Sequence, residues 1–144
     1  MARKHYTDMP DSFAVCSHAD CPRAAQCLHQ TAYGEQMERC EIVRLINPGR
    51  CTKDSDCPYY RDAAPVAYAF GFSRMKQHMY PAQYLTFMSV LKARFGHNPY
   101  YERRRGDIAL PPGEQRIVLD ALRQAGVTED LEFDRYEYSI NWCD

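Results

Sequence analysis

Along the first half of the chain, short apolar runs are set between polar loops; in the second half the spacing becomes helical. In residues 1–15 only Phe13 to Val15 is continuously apolar, so this stretch reads as an arm. "CPRAAQCLHQ" opens the first element. Pro22 suits the first turn of a helix, where its missing N–H costs nothing, and the helix is expected to end near Thr31, before Gly34. "CEIVRLIN", residues 40–47, is β-branched and apolar and predicts a strand that stops at the turn signal "NPG". "PVAYAFGF" predicts another strand near residues 66–72.

From Pro81 the period changes. In "PAQYLTFMSVLKARFG", Tyr84, Met88, Leu91 and Phe95 recur at helical spacing beside Leu85 and Phe87, and Gly96 is placed to end the helix. "HNPYYERRRG" predicts a short basic helix closed by Gly106. "PPGEQRIVLDALRQAGV" carries one stripe, Ile117, Val118, Ala121, Leu122 and Ala125, with a proline before it and Gly126 after it. Leu131 and Phe133 alternate as in a strand at the start of "DLEFDRYEYSINWCD". The expected core of the helical part is Leu85, Met88, Leu91, Ile117, Val118 and Leu122. These elements predict one α+β domain over residues 1–144. A Cys-rich, metal-stabilised half with two or three short strands fills 1–80, and a mainly helical half fills 81–144.

Charge narrows the partners. Eighteen Lys and Arg against nineteen Asp and Glu leave a net charge of −1, so no general attraction to nucleic acid or anionic membranes is expected. No apolar run approaches the roughly 18 residues needed to cross a bilayer. The basic N-terminus lacks the apolar stretch of a secretory signal. The expected compartment is the cytoplasm, where disulfides rarely persist. Seven cysteines there need a reason, and an odd number cannot all pair within one chain.

Their spacing supplies one. Cys16-x4-Cys21-x5-Cys27 and Cys51-x5-Cys57 form two groups separated by the predicted strand. Structural zinc sites draw ligands from two such groups that double back toward the ion, although usual knuckles have two to four intervening residues. A [4Fe–4S] cluster is the alternative thiolate cage; disulfides and buried free thiols acting as small hydrophobes are the others. The free-thiol reading suits Cys40, at the edge of an apolar run, and Cys143, near the end. It suits cysteines set in "SHAD" and "TKDSD" poorly. The expected ligands are Cys16, Cys21, Cys27 and Cys57, with Cys51 as the replacement for one of them. His18 or His29 can substitute for a thiolate in a zinc site. Four protein ligands would leave no open position, so such a site stabilises and does not catalyse.

The one concentrated basic run is "ERRRG". Arg103, Arg104 and Arg105 can bind phosphates while Tyr100 and Tyr101 stack on bases, in a layout distantly like a helix-turn-helix; the bland alternative is a solvated corner. Phosphate-loop, dinucleotide-binding, zinc-protease and nucleophile-elbow motifs are missing. A Cys–His nucleophile pair, such as Cys27 with His29, is a chance product of seven cysteines and five histidines.

The series "CSHADCPRAAQCL", "INP", "CPYYR", "YAFGFSRM", "YYERRRGDIALPPGEQ" and "FDRYEYSINW" resembles an uncharacterised family of small Cys-rich bacterial proteins, a domain of unknown function. The resemblance spans nearly the whole chain. It implies one integral domain with Cys16, Cys21, Cys27 and Cys57 as its central set, and it implies no activity. The expected function is a non-enzymatic, cytoplasmic, metal-binding regulatory or binding module, with zinc favoured and nucleic acid the favoured partner. A protein-interaction or accessory subunit, or an iron–sulfur or redox-sensing protein, are the alternatives.

Overall fold

A computed structural model of the chain describes residues 8–53 and 57–142. It contains four α-helices, α1 (Leu28–Arg39), α2 (Pro81–Phe95), α3 (His97–Arg105) and α4 (Pro112–Gln124), and two strands, β1 (Val66–Phe70) and β2 (Arg135–Ser139). The fold is α+β. The described residues group into two compact units, one holding those up to Pro65 together with Ile140 to Trp142, the other Val66–Ser139.

In the first unit the order comes from backbone hydrogen bonds gathered at the start of α1. Residues 21–26 form turns and a single 3-10 turn over Ala24–Gln26, and extended Cys27 (φ −91°, ψ 124°) separates that turn from the helix. The Leu28 N–H, which no helical carbonyl can satisfy, donates to Arg61 O at 2.7 Å, and Ala63 N–H donates to Gln26 O at 2.9 Å. The helix then buries Leu28, Ala32 and Gln36, spaced by four on one face. With Met9, Phe13, Val15 and Trp142, the first two form the apolar core of this unit. The amide of Gln36 ties the N-terminal arm down, donating to Phe13 O at 2.9 Å and Pro10 O at 3.2 Å.

Two expectations fail here for identifiable reasons. The helix runs through Gly34 to Arg39, because Gly34 has an ordinary helical backbone and not the left-handed one that ends a helix. The apolar run 40–47 is not a strand. Only Leu45 bridges to Val15, through Val15 N–H to Arg44 O (2.8 Å) and Ile46 N–H to Val15 O (2.8 Å). The ladder does not extend back along the partner, since Phe13 N–H, the next donor on that edge, is committed to Pro10 O. Ile42 is consequently 87% exposed. Of the two or three strands expected in residues 1–80, only β1 forms among the described residues.

In the second unit β1 pairs antiparallel with β2, Val66 opposite Ser139 through Phe70 opposite Arg135. The strand expected at Leu131 and Phe133 therefore begins later, at Arg135, and those two side chains pack into the core instead. Asp134 explains the delay. Its carboxylate accepts hydrogen bonds from Ser73 N–H (3.0 Å), Ser73 Oγ (2.7 Å) and Arg74 N–H (3.2 Å), which fixes the bend before β2. Gly71, at φ +78°, sits against it; a Cβ there would lie 2.7 Å from Asp134 Oδ2. The helices fall where the periodicity placed them, α3 closing at left-handed Gly106 (φ 86°). Phe72, Met75, Phe87, Leu91, Tyr100, Val118 and Leu122 are the heart of this core, with Met88 and Ile117 at its margin. Leu85 is not in it, being 61% exposed.

Leu91→Ala should therefore lower stability by about 2 to 5 kcal/mol in urea denaturation, the range for a truncated buried leucine. Leu85→Ala should stay within about 0.5 kcal/mol, as for surface positions. Equal effects of the two would contradict this packing.

Candidate metal centre

The turns and bridges of the first unit bring three stretches of chain to one pocket. Its walls include Cys16 and His18, then Cys21, Cys27 and His29, then Cys51 and Cys57. All five cysteines expected as ligands are thus on one pocket, as are both histidines weighed as substitutes. Each stretch is held by backbone contacts. Cys16 N–H donates to His29 O (3.0 Å), Cys21 N–H to His18 O (3.1 Å), and Tyr60 N–H to Cys57 O (3.2 Å). Cys27 caps α1 through its backbone alone, which leaves its thiol uncommitted to the helix.

Within the pocket the donor atoms of Cys16, His18 and Cys51 lie within 4.8 Å of one another, a group that can hold a metal ion. Cys57 extends it: the Cys51 and Cys57 sulfurs are 3.7 Å apart. Two thiolates on one tetrahedral zinc, each about 2.3 Å from it, are separated by roughly 3.8 Å. His18 Nδ1 is buried with no hydrogen-bond partner among the described residues. Such an atom forfeits about 1 to 3 kcal/mol unless something satisfies it, and an ion among thiols would. His29 is positioned differently: its Nδ1 pairs with Ala14 O at 2.6 Å and its ring stacks on Phe13. That backbone partner is the kind that orients a ligating imidazole through its other nitrogen.

The two loop thiols differ electrostatically. Burial pushes the Cys51 thiol up to about 11, helped by its contacts with Cys57 and Cys16. Burial also acts against the Cys57 thiolate, but the Tyr59 amide, Cys51, and the amides of Thr52 and Tyr60 together bring it below the ordinary thiol range. A cation bound by both sulfurs would displace their protons.

The described cysteines are all free thiols. Cys40 lies away from the pocket, with its sulfur 3.9 Å from Asp11 Oδ1, and Cys143 falls outside the described residues. The sequence ranked Cys21 and Cys27 above Cys51 and left His18 as a substitute; the geometry puts Cys51 and His18 at the centre of the group.

The basic run is built into the second unit. Tyr100 is fully buried, so it presents no face to a base, and burial pushes its hydroxyl pKa up. This corrects the stacking role expected of it. Arg103 is 17% exposed and paired through Nη2 (2.8 Å) and Nε (3.2 Å) with Glu114 Oε1, its guanidinium lying over Phe95. Arg105 pairs with Asp107 at 3.1 Å, and the Arg104 guanidinium lies 6.0 Å from the Tyr84 ring. Tyr101 bonds Lys92, which holds its hydroxyl below the usual range.

Fold and site together define a small α+β protein with a mixed thiol and imidazole pocket. The chain belongs to DUF6078, a family of unknown function, whose match covers residues 1–142. No curated protein and no solved structure matches it.

Glu114→Ala should cost about 1 to 3 kcal/mol, because it strands a half-buried guanidinium. Arg105→Ala, at an exposed pair, should cost less than about 1 kcal/mol. Thermal unfolding of the two variants separates these outcomes, and the reverse order would show that Arg103 is not anchored.

Proposed function

We propose that this protein is a non-enzymatic metal-binding module whose first unit closes around one ion, held by Cys16, His18, Cys51 and Cys57. The observation that carries this reading is the grouping of the Cys16, His18 and Cys51 donor atoms within 4.8 Å. Zinc suits the set better than a [4Fe–4S] cluster, since zinc takes three thiolates and one imidazole readily, whereas these clusters are commonly held by four thiolates. Four protein ligands fill a tetrahedron and leave no position for substrate. The metal's role is then to stabilise the fold of the unit, and what the module does rests on the surfaces it presents in the cytoplasm. Nucleic acid or another protein is the partner class for such a module. For nucleic acid the available groups are Arg104, Arg105 and Tyr101.

Protein prepared without oxygen should contain about one zinc per chain by elemental analysis and be colourless. A brown protein absorbing near 400 nm (the rough position for thiolate-bound iron) would shift the assignment to a cluster, and folded protein with neither metal would end it. Cys16→Ser and His18→Ala should lose most of the metal, and Cys40→Ser should keep it. Removal of the metal by a chelator should melt the first unit at a lower temperature, because binding energy and folding energy are coupled in such sites.

A further inference from the structure

We propose, on the basis of the metal reading above, that Cys51 and Cys57 are a peroxide-sensitive pair whose disulfide forms at the expense of the bound metal. The two sulfurs are 3.7 Å apart, in one pocket, and six positions apart in sequence. A disulfide needs about 2.05 Å, so the closure required is under about 2 Å, within reach of side-chain rotation. Cys51 has a second commitment, because its donor atom also belongs to the group with Cys16 and His18. One sulfur cannot serve both as a thiolate ligand and as half of a disulfide. Oxidation of the pair therefore removes Cys51 from the metal, and Cys57 with it. Both residues are partly exposed, so a small oxidant reaches them from solvent.

The co-reactant is a hydroperoxide, with hydrogen peroxide the simplest. The Cys57 thiolate attacks one peroxide oxygen; the O–O bond breaks, the sulfur becomes a sulfenic acid, and hydroxide leaves. The Cys51 sulfur, released from the metal as thiolate, then attacks that sulfenic sulfur, forming the S–S bond and expelling a second hydroxide. Two thiolates lose two electrons in all, the peroxide gains them, and the two hydroxides are neutralised to water by protons from the buffer. A dithiol reductant reverses the change and restores the ligands.

The test uses the full chain, zinc-loaded under nitrogen and exposed to hydrogen peroxide. Zinc release is followed with a chromophoric chelator and disulfides are mapped by mass spectrometry. The wild-type protein should release zinc in step with a Cys51–Cys57 disulfide and rebind it after reduction. Cys57→Ser, if it still takes up zinc, should release it at least tenfold more slowly. Release at the wild-type rate from that variant, or a map dominated by another pair such as Cys21–Cys27, overturns the proposal. If Cys57→Ser does not fold or load, the wild-type map and its time course alone decide. Wild-type protein that never binds zinc defeats the metal reading itself. The map of the metal-free chain then still judges the pair: a Cys51–Cys57 disulfide upholds it as the oxidation site, and any other map rejects it.

Discussion

The first unit depends on the knot of backbone hydrogen bonds at the N-terminus of α1. There the carbonyl of Gln26 accepts from Ala63, the amide of Leu28 donates to Arg61, and the carbonyl of His29 accepts from Cys16. Three residues within four positions of chain thus fasten segments from both sides of the sequence. A helix start offers unpaired N–H groups by construction, and here the Leu28 N–H goes to a distant segment while the flanking carbonyls of Gln26 and His29 accept from two others. The pocket lies beside the knot because each fastened segment carries a cysteine or histidine within a few residues of its anchor.

That arrangement sets the energetic problem the donors must solve. The buried His18 nitrogen without a partner among the described residues is a cost, small against a whole fold but appreciable against a net stability of about 5 to 15 kcal/mol. The proposed cation would offset it, since the nitrogen would acquire a partner while the thiols gave up their protons to become ligands. The same proximity that favours the ion brings two sulfurs within reach of each other. The proposed metal site and the proposed oxidation site therefore rest on one geometry.

Much of this was legible in the sequence, and the failures share a cause. Cysteine spacing alone grouped the thiols of 16–27 with those of 51–57, because polar surroundings such as "SHAD" leave a thiol little reason to be there as a hydrophobe. Helices α2 to α4 were legible from period and from Gly96, Gly106 and Gly126, which are local signals. The strand expected at 40–47 was not realised, since strand formation needs a partner edge and Val15 offers a single bridge. Leu85 seemed equivalent to Met88 along the sequence, but only the direction of α2 against α4 decides which faces inward. Arg103 looked solvated until Glu114, eleven residues on, was seen to hold it. The order of preference among donors was not legible either: the pocket holds all five expected cysteines, but the grouping of Cys16, His18 and Cys51 depends on how the loops close.

X-ray absorption at the zinc edge of protein purified without oxygen tests the central claim most directly. The account predicts a first shell of about three sulfurs near 2.3 Å and one nitrogen near 2.0 to 2.1 Å, with the imidazole scattering expected of His18. A shell of oxygen and nitrogen alone, or four sulfurs with no imidazole, would contradict it.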